Sequence, residues 1–147
     1  MQISKEKEWN YMEQHNDVGT RRDLACYRME IAKDDLKCAK SMFDENHYRF
    51  ANNRAYYAIF HAVSAIHALD GKAYRKHKDA ISNFNKNYIK TEVFPREFGH
   101  QIAEAEEIRH ASDYDDFYMA SKDETARLIR TADMLIVLIQ EYMKSQQ

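Results

Sequence analysis

"HYRFANNRAYYAIFHAVSAIHALDGK", residues 47–72, carries the helical repeat from which the architecture follows. Ala51, Ala55, Ala58, Ala62 and Ala65 recur in steps of four and three, which places them on one helical face. A stripe of small side chains lets a second helix approach closely, as ridge-into-groove packing requires. The spacing predicts a helix from about His47 to Leu69, ending near Asp70-Gly71-Lys72 and packed against a neighbour.

The same steps appear on either side. Upstream, Ala25, Met29, Ala32, Leu36, Ala39 and Phe43 predict a helix of about six turns. "TRRD" (Thr20 to Asp23), after Gly19, resembles a capping box at its start. Downstream, Ile81, Phe84 and Tyr88 share one face of a shorter helix over about His77 to Ile89. Phe98, Ile102 and Ala105 mark a further helix from roughly Arg96 to Ala111. "SKDE" (Ser121 to Glu124) is a capping box for the last helix, whose Leu128, Ala132, Leu135, Ile139 and Tyr142 face inward as far as about Lys144. Three glycines and one proline in 147 residues leave little to interrupt these helices, and no strand alternation is visible. The expectation is an all-α, antiparallel bundle of four main helices plus a shorter one over residues 19–147. A polar extension, residues 1–18, precedes it, with Trp9 and Tyr11 as its anchors.

Lys and Arg total 22 against 24 for Asp and Glu, a net charge of −2, which excludes a generic polyanion binder and confines any nucleic-acid contact to a local surface. Cys26 and Cys38, twelve residues apart in one helix, read as reduced core thiols too far apart to pair. No stretch approaches the ~18 apolar residues of a membrane span, and "MQISKEKEWNYMEQ" lacks the apolar centre of a signal peptide. A soluble, cytoplasmic protein without membrane contact is expected. There is no Gly-rich phosphate loop, no Gly-x-Ser-x-Gly elbow and no Cys-x-x-Cys, so no cofactor is called for.

Two constellations carry chemistry. Arg54, Tyr57, His61 and Ser64 step by three, four and three and form a polar stripe beside the alanines. Such a stripe is the half-buried flank of an amphipathic helix unless a second element converges on it. Arg109 follows Ile102 and Ala105 by helical steps, so its guanidinium starts from the bundle-facing side and must find acceptors. Asp113, four residues on, offers an Arg–Asp clasp at the helix end, and His110 turns outward. An adjacent Arg and His also suit phosphate chemistry, the first through fixed donors and the second through a proton near neutral pH. Glu97-x-x-His100 and Glu107-x-x-His110 have the spacing of di-metal carboxylate bundles, but both fall on one helix and on different faces, which leaves a di-metal site a remote alternative.

"NRAYYAIFHA" (Asn53 to Ala62), "KHKDAISNFNKNYIKTEVFP" (Lys76 to Pro95) and "EIRHASDYDDFY" (Glu107 to Tyr118), in this order, resemble the short prokaryotic HEPN-domain proteins over about residues 22 to 144. The resemblance implies a helical bundle that dimerises around a cleft. It implies, for many members, a metal-independent toxin ribonuclease encoded beside a nucleotidyltransferase antitoxin. The catalytic signature implied is an Arg, a polar residue, then a His four to six positions after the Arg. Arg109 matches the Arg and His110 the polar position, whereas positions 113 to 115 are Asp113, Tyr114 and Asp115, so the later His is missing. On this resemblance Arg109 would stabilise a phosphate attacked by the RNA 2′-hydroxyl, with His110 or Tyr114 handling protons. Arg54, Tyr57, His61 and Asp113 would hold a nucleotide or RNA. Tyr114 and Tyr118 are the positions where a partner nucleotidyltransferase would add AMP. A non-catalytic nucleotide- or protein-binding module stands beside the nuclease, because the motif His is missing and a neutral chain lacks the usual basic stripe.

Overall fold

The alanine face is sealed in the structure: Ala51, Ala55, Ala58, Ala62 and Ala65 have no exposed surface. The computed structural model describes residues 18–147; Trp9, Tyr11 and the rest of the N-terminal extension up to residue 17 lie outside the described residues. Among the described residues five α-helices follow in order, α1 (Val18–Asp44), α2 (Tyr48–Leu69), α3 (His77–Phe84), α4 (Glu97–Tyr114) and α5 (Lys122–Ser145). A π-helical turn, Asn85–Ile89, prolongs α3, so the predicted shorter helix keeps its span but not its uniform pitch. Among the described residues there is no strand, and no helix is long and apolar enough to cross a membrane.

Cross-helix contacts fix the directions. Asp35 of α1 meets Arg54 and His61 of α2, while Arg28 donates to the Ser64 carbonyl oxygen, so the two helices run antiparallel. Asn52 with Ser112, and Asn53 with Asp113, set the start of α2 against the end of α4. Glu104 with Arg127, and Gln101 with Thr131, make α4 and α5 antiparallel in turn. The core lies between these helices. Met29, Ala32 and Leu36 of α1, Ile59 and Ile66 of α2, Ile102 of α4, and Leu128, Leu135 and Ile139 of α5 are all buried in it.

The ends obey local chemistry. At the α1–α2 turn Asn46 takes a positive φ of 66°, its N–H bonds to the Phe43 carbonyl and that of His47 to the Met42 carbonyl. Gly71, at φ 75°, closes α2 in the same way through Ala68, with Lys72 reaching His67. Both are Schellman closures, which need a residue tolerant of the left-handed region. Ser121 caps α5 as predicted, its Oγ accepting from the Glu124 N–H at 3.1 Å. The Glu124 carboxylate does not return to the cap; it accepts from the Tyr118 hydroxyl instead.

Two expectations are corrected. Thr20 does not open α1, which is already helical at Val18; "TRRD" lies inside the first turns. Cys26 and Cys38 are exposed, not core thiols. Each sits next to a buried alanine, Ala25 or Ala39, and one step along a helix turns a side chain about 100° away from its neighbour.

Candidate functional site

Asn53 and Arg54, side by side on α2, join the two constellations that the sequence presents separately. From α4, Arg109 Nη1 lies 3.7 Å from Asp113 Oδ2, an ion pair too long for a hydrogen bond. Asp113 accepts from Asn53 Nδ2 through both oxygens, at 3.0 and 3.2 Å. Asn53 Oδ1 accepts from Arg54 Nε at 3.1 Å and Nη2 at 2.8 Å. Arg54 Nη1 donates to Asp35 Oδ1 at 3.0 Å, and Asp35 Oδ2 faces His61 Nδ1 at 2.7 Å. One polar chain therefore runs Arg109–Asp113–Asn53–Arg54–Asp35–His61 across three helices.

Aromatic rings lie beside this chain. The Arg109 guanidinium carbon sits 4.7 Å from the centre of the Tyr56 ring, and that of Arg54 lies 5.0 Å from Tyr57. Tyr56 and Tyr57 meet edge to face at 5.4 Å, and Tyr57 is 6.1 Å from the His61 ring. His77, at the start of α3, stacks on Phe60 at 3.9 Å and shares a hydrogen bond with the Tyr56 hydroxyl at 3.3 Å. Burial first, then the Glu106 carboxylate, push the Tyr56 hydroxyl up to about 12, with Arg109 acting the other way. Tyr56 is thus a neutral platform for a cation rather than an acid.

Arg109 is held by the Asp113 ion pair and the face of the Tyr56 ring. Its side chain is 15 % exposed, and its Nε is buried with no hydrogen-bond partner among the described residues. Burial opposes its charge, yet the facing Tyr56, Tyr57 and Asp113 keep its pKa above the usual arginine value. Beyond the 3.7 Å ion pair its Nη groups retain donor capacity for a further acceptor, whereas Nε is sealed from solvent. Arg109 and His110 both line a surface depression of about 540 Å³ that includes Glu106, Glu107 and Asp115.

The remaining residues separate. His110 is exposed, its ring 4.9 Å from that of Tyr114, and Tyr114 is 67 % exposed. Tyr118 is half-buried; burial and its hydrogen bond to Glu124 raise its pKa, which makes it a weak nucleophile. Of the two tyrosines only Tyr114 has its hydroxyl without a partner among the described residues. Glu97, His100, Glu107 and His110 do not converge, and among the described residues no group of three His, Cys, Asp or Glu side chains is placed to hold a metal ion.

Sequence reading missed Asp35 and Asn53. Asp35 carried a signal, since it lies three residues after Ala32 and four before Ala39 on the buried side of α1, a costly place for an unpaired charge. Asn53 carried none. The small net charge of −2 also conceals segregation. Residues 72–90 hold Lys72, Arg75, Lys76, Lys78, Lys86 and Lys90 against a single acid, Asp79.

The chain is 27 % identical over 118 residues to a Methanocaldococcus jannaschii protein named "Putative toxin", covering 80 % of each chain. A second protein of that organism with the same designation is 29 % identical over 116 residues, 79 % of this chain and 86 % of the relative. Among solved structures, a Thermus thermophilus protein matches with a TM-score of 0.67 at 17 % identity, covering 80 % of this chain and 96 % of the other. An HEPN domain protein of Thermotoga maritima matches with a TM-score of 0.62 at 24 % identity, covering 80 % and 98 %. These two share the fold. The HEPN domain model matches residues 25–142, which takes in α2, α3 and α4 whole together with every residue of the polar chain. The chain belongs to the HEPN domain family.

Proposed function

We propose that this protein is a toxin-type HEPN protein that acts on RNA as a homodimer and is held in check by a nucleotidyltransferase partner. The observation that carries the reading is Arg109: the residue lines a depression, and its guanidinium is backed by the Tyr56 ring and only loosely matched by Asp113. Fixed positive charge of that kind stabilises a phosphorane-like transition state without a metal. Support comes from the basic segment 72–90, whose His77 stacks on Phe60 beside Tyr57, so phosphate-binding charge and base-stacking rings occur together. The toxin designation of the archaeal relatives agrees with it.

A protein partner is supported at the α4–α5 connection. Phe117 is 93 % and Met119 88 % exposed there, and Arg49 ties the loop to α2 through the carbonyls of Asp115 and Tyr118. Tyr114, exposed at the edge of that loop, is the favoured acceptor for AMP transfer. Mass measurement after co-expression with a nucleotidyltransferase encoded beside this gene should show an added nucleotide on wild type and none on Tyr114→Phe.

The second reading is a non-catalytic RNA- or nucleotide-binding module, favoured by one observation: Asp113 and Tyr114 occupy positions where the motif His belongs, and Asp113 serves as an acceptor for Asn53. Purified protein and Arg109→Ala, each incubated with single-stranded RNA, separate the two. Cleavage by wild type alone supports the nuclease; RNA retention without cleavage supports the module; equal cleavage by both proteins removes Arg109 from the mechanism.

A further inference from the structure

His61 is held in a way that a purely structural clasp does not require. Asp35 is 8 % exposed, and each of its oxygens has one partner, Arg54 Nη1 at 3.0 Å and His61 Nδ1 at 2.7 Å. Arg54 alone balances the carboxylate charge. A carboxylate only accepts, so the shared proton sits on Nδ1 and the lone pair of the ring is left on Nε2. Nε2 has no partner among the described residues and is not one of the sealed orphan atoms, and the side chain is 27 % exposed. The charged and titratable groups around the ring are Asp35 from α1, Arg54 and Tyr57 on α2, and His77 from α3 through its contacts with Tyr57 and Phe60. A carboxylate behind one nitrogen and an open second nitrogen is the arrangement of a histidine base.

We infer that His61 is the proton acceptor of the RNA cleavage proposed above, with Asp35 as its positioning residue; the inference rests on that reading. Nε2 removes the proton of a ribose 2′-hydroxyl. The 2′-oxygen bonds to its own phosphorus, the bond from phosphorus to the 5′-oxygen breaks, and that oxygen takes a proton from water. The products are a 2′,3′-cyclic phosphate and a 5′-hydroxyl, and the imidazolium returns its proton to the hydroxide left behind. The base that the segment after Arg109 lacks is thereby supplied from α2, at the opposite end of the same polar chain, with the Tyr56 and Tyr57 rings spanning the interval.

The experiment uses the full chain and follows RNA cleavage across pH for wild type, Arg109→Ala, His61→Asn, His61→Gln and Asp35→Asn, with fold checked by circular dichroism. Nitrogen NMR reads the wild-type His61 tautomer independently of activity. Both folded His61 variants should lose about 10²–10⁴-fold in rate and the acidic limb of the profile. Asp35→Asn should lower the rate and alter the tautomer populations, and the wild-type ring should carry its neutral-form proton on Nδ1. Wild-type rate and profile in a folded His61 variant, alongside an inactive Arg109→Ala, would overturn the role of His61 and leave the nuclease reading intact. A neutral ring protonated on Nε2, or products ending in 3′-hydroxyl, would overturn it as well. No cleavage by wild type, or cleavage untouched by Arg109→Ala, would remove the nuclease reading and this inference together.

Discussion

Asn53 Nδ2 lies 3.0 Å from Asp113 Oδ2, and through that bond the start of α2 is tied to the end of α4. Asn53 Oδ1 simultaneously accepts from Arg54, so one side chain couples the Arg109 end of the network to the Asp35 end. A double-mutant cycle of Asn53→Ala and Asp113→Ala should give a coupling of about 0.5–1.5 kcal/mol in denaturant unfolding, the range of an ordinary hydrogen bond, because solvent at this exposed site screens the carboxylate charge. Strict additivity would show that the bond contributes nothing in solution.

The alanine stripe predicts intolerance of bulk. Ala58 has no exposed surface on α2. Ala58→Leu should destabilise by about 1–3 kcal/mol, because a close-packed helix pair must separate or strain to admit three more carbons. Thermal melts check this. A melting point at or above the wild type would mean that the helices are not in close contact at that position.

His67 predicts acid sensitivity. It is 1 % exposed, its Nε2 bonds to the Ala80 carbonyl, and its Nδ1 is buried without a partner among the described residues. Burial lowers its pKa, against the Ala80 hydrogen bond and Asp70, which raise it, and alongside Lys72 and Arg28, which lower it. Above the unfolded value of about 6.5 both states are neutral and nothing is lost. Below it the unfolded chain takes up a proton that the folded chain resists. Stability therefore falls as the pH drops from about 6.5 towards the depressed folded value, by at most about 1.4 kcal/mol per pH unit. His67→Gln, which keeps a donor for Ala80, should flatten that part of the stability curve relative to wild type; parallel curves would refute the assignment.

The basic segment predicts a salt slope. If Lys78, Lys86 and Lys90 bind RNA phosphates, replacing all three by Gln should reduce the slope of log affinity against log salt by about 0.7 for each phosphate that is no longer neutralised. An unchanged slope would place the RNA elsewhere on the protein.

Ser121 predicts a smaller, local effect. Its Oγ caps α5 through the Glu124 N–H. Ser121→Ala should cost about 1 kcal/mol, measured by denaturant titration. A deficit well beyond that range would implicate the Tyr118–Glu124 bond beside it.

The helices and their inward faces were legible in the chain alone. Burial of one side of a helix writes a repeat of three and four residues into the chain, and that repeat is local, as with Ala51 to Ala65 or Leu128 to Ile139. Which polar residues meet became visible once the helices were packed together. Asp35 lies 19 residues from Arg54 and 26 from His61 along the chain, and Asn53 lies 60 from Asp113. Those pairings depend on the register in which one helix settles against another, set by side-chain interdigitation over the whole interface, and no short-range pattern encodes it.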